Sequence, residues 1–429
     1  MSTLRPDHGL HEYTTYVYRD PRSTPTHGCF LMKTRVDDLG VFGGAPAFTD
    51  KLHVGRPNIG NRDRLFSRLN DLLDRRWLSN DGPYVQELEE TLASRLGVRH
   101  CVAVANATMG MQIAIRSAGL TGEVIVPSFA FVSLPHALLW QGLTPVFCEI
   151  DPRTHNLSPA HVETLITPQV TGIIAVHVWG RPCAVDELAE IADRHGLTLF
   201  YDAAHALFCS HGGRMIGGFG RAEVLSFHAT KFVNSFEGGV IATNDDELAT
   251  HARLMRNFGF TGYDEVCGLG TNGKMSEPCA AMGLTSLESA DSFVADNRRN
   301  YLAYRRCLSN VTGLELVEYA EAEHSNYQYV VVEIDQKRTG LTRDQILRVL
   351  WEENIIARRY FYPGCHRMEP YRSMRPHSAI ELTATDALAS RVLCLPTGTA
   401  VDDDAIATIC EVIELSVRHA EEIARRLQA

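Results

Sequence analysis

The chain has 429 residues, more than a single hydrophobic core sustains, so a large domain and a smaller one are expected. Hydrophobic residues make up 45% and charged residues 22%, a balance that excludes a disordered chain. Forty-one Lys and Arg against 52 Asp and Glu leave a formal charge of -11, and no basic run follows a phosphate backbone, which excludes nucleic acid as a partner.

Met1 to Tyr18 mixes His, Arg, Asp and Glu and lacks the apolar centre of a signal peptide. No stretch is long enough to cross a bilayer, so a cytoplasmic protein that does not engage membranes is expected. The 11 cysteines are scattered from Cys29 to Cys410 without a CxxC pair, and the histidines never fall into a zinc-ligand spacing. Reduced thiols and no metal site are the expectation. Residues 1–45, rich in Pro, His, Gly and charge, form an N-terminal arm on which no structure is forced. Residues 46–290 then form the large domain and 291–429 the small one.

From about Val98 short apolar runs alternate with amphipathic stretches, the pattern of an α/β domain with a parallel sheet and crossover helices. Seven strands are predicted: His100 to Ala105, Glu123 to Val126, Pro145 to Ile150, Thr171 to Val178, Leu197 to Tyr201, Glu223 to Phe227 and Gly239 to Thr243. Ser158 before Pro159 marks one helix start, and Asp186 to His195 forms a helix that stops at Gly196. Gly217-Gly218-Phe219-Gly220 precedes a strand rather than a helix and reads as a turn, not a dinucleotide loop. Beyond Leu284 come a charged helix through Arg306, strands at Leu314 to Tyr319 and Tyr327 to Ile334, a helix over Thr342 to Asn354 and a last one near Asp403 to Leu427. These form a smaller α+β domain.

Two strand ends carry the chemistry. The run Leu197 to Tyr201 ends on Asp202, followed by Ala203, Ala204 and His205, and open α/β sheets bind ligands at such carboxyl ends. By itself an Asp there is a turn residue. A second strand end presents Ser226, His228 and Lys231, followed by Glu237-Gly238-Gly239. A lone loop lysine is ordinarily solvated, but one in a cleft with a carboxylate on a neighbouring strand end is a functional candidate. A desolvated lysine becomes nucleophilic and condenses with an aldehyde. A pyridoxal ring bound that way needs a carboxylate at its nitrogen, and Asp202 supplies it. The turn Ala105-Asn106-Ala107-Thr108-Met109-Gly110 opens a helix with free amides and a hydroxyl for a phosphate. Ser226 is placed to reach the same group, and Phe131, in Pro127 to Phe131, is placed to stack on a flat ring or to fill the core.

This series, together with Asn272-Gly273-Lys274-Met275-Ser276-Glu277, resembles the DegT-type sugar-nucleotide aminotransferases from about Gly43 to the C-terminus. The resemblance implies a fold-type I pyridoxal 5'-phosphate enzyme with a mostly parallel seven-stranded sheet, active as a homodimer with its site at the subunit interface. It implies that Lys231 carries the cofactor as a Schiff base and moves the proton, that Asp202 pairs with the pyridine nitrogen, and that His205 meets the ring hydroxyl. Ala107, Thr108, Met109 and Ser226 match phosphate contacts, Phe131 the stacking position, and Asn272 and Lys274 the segment that enters the neighbouring subunit's site. Ala107, Thr271 and Pro278 depart from the family's usual residues.

Family members that dehydrate sugars carry histidine in place of the lysine, so Lys231 implies transamination. Asn80, Gly82 and Pro83, with His177 in His177 to Pro182, resemble members that aminate C-4 of a dTDP-4-keto-6-deoxyhexose, with glutamate as the expected donor. Arg359, Tyr360 and His366 resemble a segment near the nucleotide sugar, where an arginine fork suits a diphosphate; a surface salt-bridged pair is the alternative for the arginines. A C-3 aminotransferase, a dehydratase and a non-catalytic cofactor-binding sensor stand as the alternatives.

Overall fold

A computed structural model describes residues 33–374 and 381–428. Seven strands, β2 (His100–Val104), β3 (Glu123–Pro127), β4 (Thr144–Cys148), β5 (Val170–Val176), β6 (Thr198–Asp202), β9 (Ala222–Ser226) and β10 (Gly239–Thr243), form one sheet in the order β2-β10-β9-β6-β5-β3-β4. Only β10 runs antiparallel to its neighbours. Each strand lies within two residues of its predicted bounds. A short hairpin, β7 (Ser210–His211) and β8 (Arg214–Met215), stands apart from this sheet.

Successive strand residues face opposite sides of a sheet. Val102 and Val104 of β2 therefore pack with α3 (Ala107–Ser117), α4 (Ser133–Trp140) and α7 (Asp246–Met255), whereas Cys101 and Ala103 pack on the other face. That second face is covered by α2 (Pro83–Leu96), α5 (Pro159–Leu165), α6 (Val185–His195) and α8 (Glu277–Glu288). With helices on both faces the strands must be apolar throughout, which is why they read as continuous runs. Helices α1 (Arg62–Arg75) and α2 precede the sheet, in a stretch where the sequence pattern predicts no element.

At Ser289 the chain passes from α8 into α9 (Ala290–Leu308), which leads into a second, smaller core. There β11 (Leu314–Leu316), β12 (Val330–Ile334) and β14 (Val392–Leu395) form an antiparallel sheet. Around it lie α10 (Gln336–Thr339), α11 (Arg343–Glu352), α12 (Thr383–Arg391), α13 (Asp403–Arg418) and α14 (Ala420–Gln428). Thr342 and Gln345 close a reciprocal capping box at the start of α11. The single helix predicted over Asp403 to Leu427 is two, because α13 ends on His419.

The N-terminal arm is only partly described, and residues 1–32 lie outside the described residues. Residues 33–48 are held against the smaller core: Val36, Leu39, Ala47 and Phe48 are buried within it. The wholly buried Glu353 carboxylate accepts the Gly40 and Ala47 amides, both at 2.6 Å, and pairs with buried Lys33 at 3.3 Å. The chain then adds β1 (Leu52–His53) parallel to β13 (Ile355–Ile356). The arm is thus anchored by a charge pair 320 residues apart in sequence, a distance at which local composition gives no warning.

Breaking a buried ion pair at one partner leaves an uncompensated charge and costs about 3–5 kcal/mol. Glu353→Ala is therefore expected to lower stability by about 3 kcal/mol in urea unfolding. It should also speed proteolysis within residues 33–48, and unchanged cleavage there would show that the carboxylate does not hold the arm.

Candidate active site

The cleft opens at the carboxyl ends of β5, β6 and β9. Asp202 is the last residue of β6 and lies opposite Val224 of the neighbouring parallel strand β9, which ends at Ser226. One carboxylate oxygen, Oδ1, accepts the Ala204 amide at 3.0 Å, while Oδ2 has no hydrogen bond among the described residues. Burial pushes the Asp202 carboxyl up, and the Ala204 amide and the Lys231 and His177 charges pull it back. A desolvated carboxylate with one oxygen to spare is suited to a cationic ring N–H.

Lys231 sits in the turn between β9 and β10. The turn is closed by the Lys231 amide on the His228 carbonyl, 2.9 Å, and by Ser235 N–H on the Phe227 carbonyl, 2.8 Å. Phe232 beside it is braced by the Gln328 and Asn58 side chains. The Lys231 ammonium reaches the Tyr329 hydroxyl at 3.3 Å. Burial pulls its pKa from 10.5 down to about 8, opposed by Asp202. At neutral pH the share of uncharged, nucleophilic amine is then well above that of free lysine.

His205 is buried, 7% exposed, and its Nδ1 accepts the Trp179 backbone N–H at 3.3 Å. Burial and then the Lys231 cation hold its imidazole well below the usual value, so the ring is neutral. Phe131 is 59% exposed just beyond β3, an apolar face left open at a cleft. Ala107, Thr108 and Met109 form the first turn of α3, where Asn106 Oδ1 caps Met109 N–H at 2.8 Å and the amides of Ala107 and Thr108 have no intrahelical acceptor. A Cβ on Gly239 would lie 2.5 Å from the Ala107 nitrogen, so only glycine lets β10 pass this turn. Ser226, half-buried at the end of β9, accepts the His228 amide at 3.4 Å. Amine, carboxylate, exposed ring and helix N-terminus fit a flat aldehyde with a cationic ring nitrogen and a phosphate. They match pyridoxal phosphate by donor chemistry.

The segment carrying Asn272 and Lys274 lies beside β2, with Lys274 bridging to Val104 and Asn272 to Asn257. The Lys274 ammonium stands 4.5 Å over the Phe258 ring. Lys274, Asn80, Asp81 and Arg256 line one cavity of about 130 Å³. Asn80 and Asp81 both take left-handed backbone, with φ of 64° and 59°, a conformation that Asn and Asp tolerate best. Gly82 is buried, and a Cβ there would lie 2.5 Å from Glu277 Cδ. The Glu277 carboxylate caps α2 by accepting the Tyr84 and Val85 amides, each at 2.9 Å, behind Pro83 at the first helical position.

Two predicted substrate contacts are corrected. His177 is wholly buried: its Nε2 meets Glu223 at 2.9 Å and its Nδ1 accepts the Cys183 amide at 3.0 Å, so both nitrogens are used. Glu223 also accepts the Gly217 and Phe219 amides, tying the glycine-rich turn to the sheet. His366 is 2% exposed; its Nδ1 lies 2.6 Å from Ser128 Oγ and its Nε2 3.2 Å from Asp386. It braces the turn that carries Phe131 instead of facing a sugar. Arg359 pairs with Asp344 at 3.0 Å and lies over the Tyr362 ring, while Tyr360 packs on Tyr329 and Phe361. Tyr329, Phe361 and the wholly buried Trp179 pack around His205 and have no local sequence signal, since aromatic residues in strands and loops are ordinarily core. Among the described residues no acidic, His or Cys group could hold a metal, and every cysteine is free.

If burial sets the amine, the rate at which cofactor-free protein takes up pyridoxal phosphate rises with pH and levels off above about 8. Asp202 raises the Lys231 pKa, so Asp202→Asn should move that midpoint lower. A midpoint at the free-lysine value in the parent protein would contradict the assignment.

Residues 61–414 match the model of the DegT/DnrJ/EryC1/StrS aminotransferase family. The chain is 34% identical over 361 residues to the dTDP-4-amino-4,6-dideoxy-D-glucose transaminase of Escherichia coli, covering 84% of this chain and 97% of that enzyme. It is 30% identical over 370 residues to the GDP-perosamine synthase of Vibrio cholerae, covering 84% and 98%. A solved structure of DesI in the presence of its TDP-sugar product superposes with a TM-score of 0.89 at 50% identity, covering 92% of this chain and all of that one. With a family match over most of its length and the cofactor-binding chemistry in place, the chain belongs to the DegT/DnrJ/EryC1/StrS aminotransferases, which are pyridoxal-phosphate-dependent enzymes.

Proposed function

We propose that this aminotransferase moves an amino group from L-glutamate to C-4 of a nucleotide-linked 4-keto-6-deoxyhexose, dTDP-4-keto-6-deoxyglucose, giving a dTDP-4-amino-4,6-dideoxyhexose. The observation that carries the reading is the 50% identity, over 92% of the chain, to DesI, whose structure holds a TDP-sugar product. The likeness to a dTDP-4-amino-4,6-dideoxy-D-glucose transaminase supports the same position on the sugar.

When bound, pyridoxal phosphate supplies a ring that draws electrons from the carbon beside the transferred nitrogen. The protein's part is placement and proton handling. Asp202 would keep the ring nitrogen cationic by accepting its hydrogen bond, and its low-dielectric setting would strengthen that bond. The Lys231 amine, tuned close to neutrality, takes a proton from one carbon and returns it to another as the amino group changes hands. Tyr329, buried and held in its neutral form, gives that amine a fixed resting partner. Phe131 would cover one ring face and exclude water, and the α3 N-terminus with Ser226 would hold the phosphate.

A homodimer with its site at the subunit interface belongs to this reading. The segment 257–272 exposes Phe258, Phe260, Tyr263, Val266 and Leu269, and Trp77, Leu78 and Phe236 are exposed as well. Large apolar side chains left exposed in this number suit a partner surface, and a second copy would bring Asn272 and Lys274 to the neighbouring site. No helix among the described residues is long and apolar enough to cross a membrane, in keeping with a cytoplasmic enzyme.

Incubation with glutamate and dTDP-4-keto-6-deoxyglucose is expected to place new nitrogen at C-4, read by NMR of the product. An amine at C-3, or loss of water without amination, would overturn the proposal. Lys231→Ala should lower the rate by about 10²–10⁴-fold, the range for a positioned acid-base group.

A further inference from the structure

Two buried residues beneath the cleft hold left-handed backbone: His155 with φ 64° and Trp179 with φ 63°, both 0% exposed. For a side chain as bulky as tryptophan this conformation is strained and persists only when the surroundings over-determine it. They do. The Trp179 indole N–H donates to His155 Nδ1 at 3.0 Å, and the indole stacks on Phe361 at 5.6 Å and 11°. With the residue locked in this way, its backbone N–H is aimed at His205 Nδ1.

The hydrogen-bond directions follow from the donors. An indole nitrogen only donates, so His155 Nδ1 accepts and its proton sits on Nε2. That proton faces Glu333 Oε1 at 2.9 Å, and the other Glu333 oxygen accepts the Arg391 Nε at 2.7 Å. A backbone N–H also only donates, so His205 Nδ1 accepts, and the neutral ring carries its proton on Nε2. Nε2 of His205 has no hydrogen bond among the described residues.

We propose that the chain Arg391, Glu333, His155, Trp179 is a positioning device that fixes the tautomer of His205, so that the cofactor meets an Nε2–H donor there and never a lone pair. The inference rests on the family's pyridoxal phosphate but not on which sugar is aminated. Glu333 lies on β12 and Arg391 closes α12, both in the smaller domain, whereas His155 and Trp179 belong to the larger one. The smaller domain thereby helps set a proton at the cofactor site. Supporting partners of this kind are worth about 10–100-fold in the affinity of the group they serve at metal sites.

The test uses the full chain loaded with pyridoxal phosphate, labelled with ¹⁵N-histidine and free of sugar. The His205 signals are assigned by their loss in His205→Gln. The parent protein should show His205 protonated on Nε2 alone. His155→Leu removes the acceptor for the indole; it should give mixed His205 tautomers and weaken cofactor binding about 10-fold. His155→Asn keeps an acceptor near the Nδ1 position and tolerates left-handed backbone, so it should restore both readings. If His155→Leu does not fold, Trp179→Phe removes the same hydrogen bond while keeping a ring on Phe361, and mixed tautomers are expected there. A parent protein protonated on Nδ1, or a folded variant with a single Nε2 tautomer and unchanged cofactor affinity, would overturn the proposal.

Discussion

An amine and a carboxylate that share one desolvated cleft govern this structure. Asp202 ends β6 and Lys231 lies in the turn that follows the neighbouring parallel strand β9, and burial pushes each toward its neutral form while their mutual attraction resists. That balance leaves a lysine that is still cationic much of the time yet nucleophilic enough to bind an aldehyde. The surrounding architecture serves the pair: Gly239 lets a third strand end close against the α3 turn, and Gln328, Asn58 and Asn234 brace the lysine loop.

The same economy extends outward from the cleft. Glu277 is wholly buried and caps α2, which fixes the Asn80 to Pro83 turn. Its own segment also carries Asn272 and Lys274, so the Asn80 to Pro83 turn and that segment are tied together by one carboxylate. Arg256 joins them by pairing with Asp81 at 2.9 Å and with Glu89. Such buried charges persist only when every partner is present, and removing one partner is far costlier than never having built the cluster.

The parts of this molecule that could be read from sequence share a property: their signal is local. Seven apolar runs became seven strands, because a sheet covered on both faces writes itself as continuous hydrophobicity. Lys231 and Asp202 stood out because a charged residue directly after a buried strand conflicts with its setting. His177 and His366 were misassigned because a motif locates a loop but not the direction of a ring. Glu223, a carboxylate inside a buried strand, was the overlooked clue that His177 had a partner in the core. The anchoring of residues 33–48 by Glu353, and the roles of Tyr329, Trp179 and His155, depend on contacts between distant segments and leave no trace in composition.

The claim beneath all of this is that a single amine, at Lys231, forms the covalent link to the cofactor. Borohydride reduction of the loaded protein makes that link permanent, and peptide mapping then locates it. The account predicts the label on Lys231 alone; a label on Lys274 or any other lysine, or none at all, would contradict it.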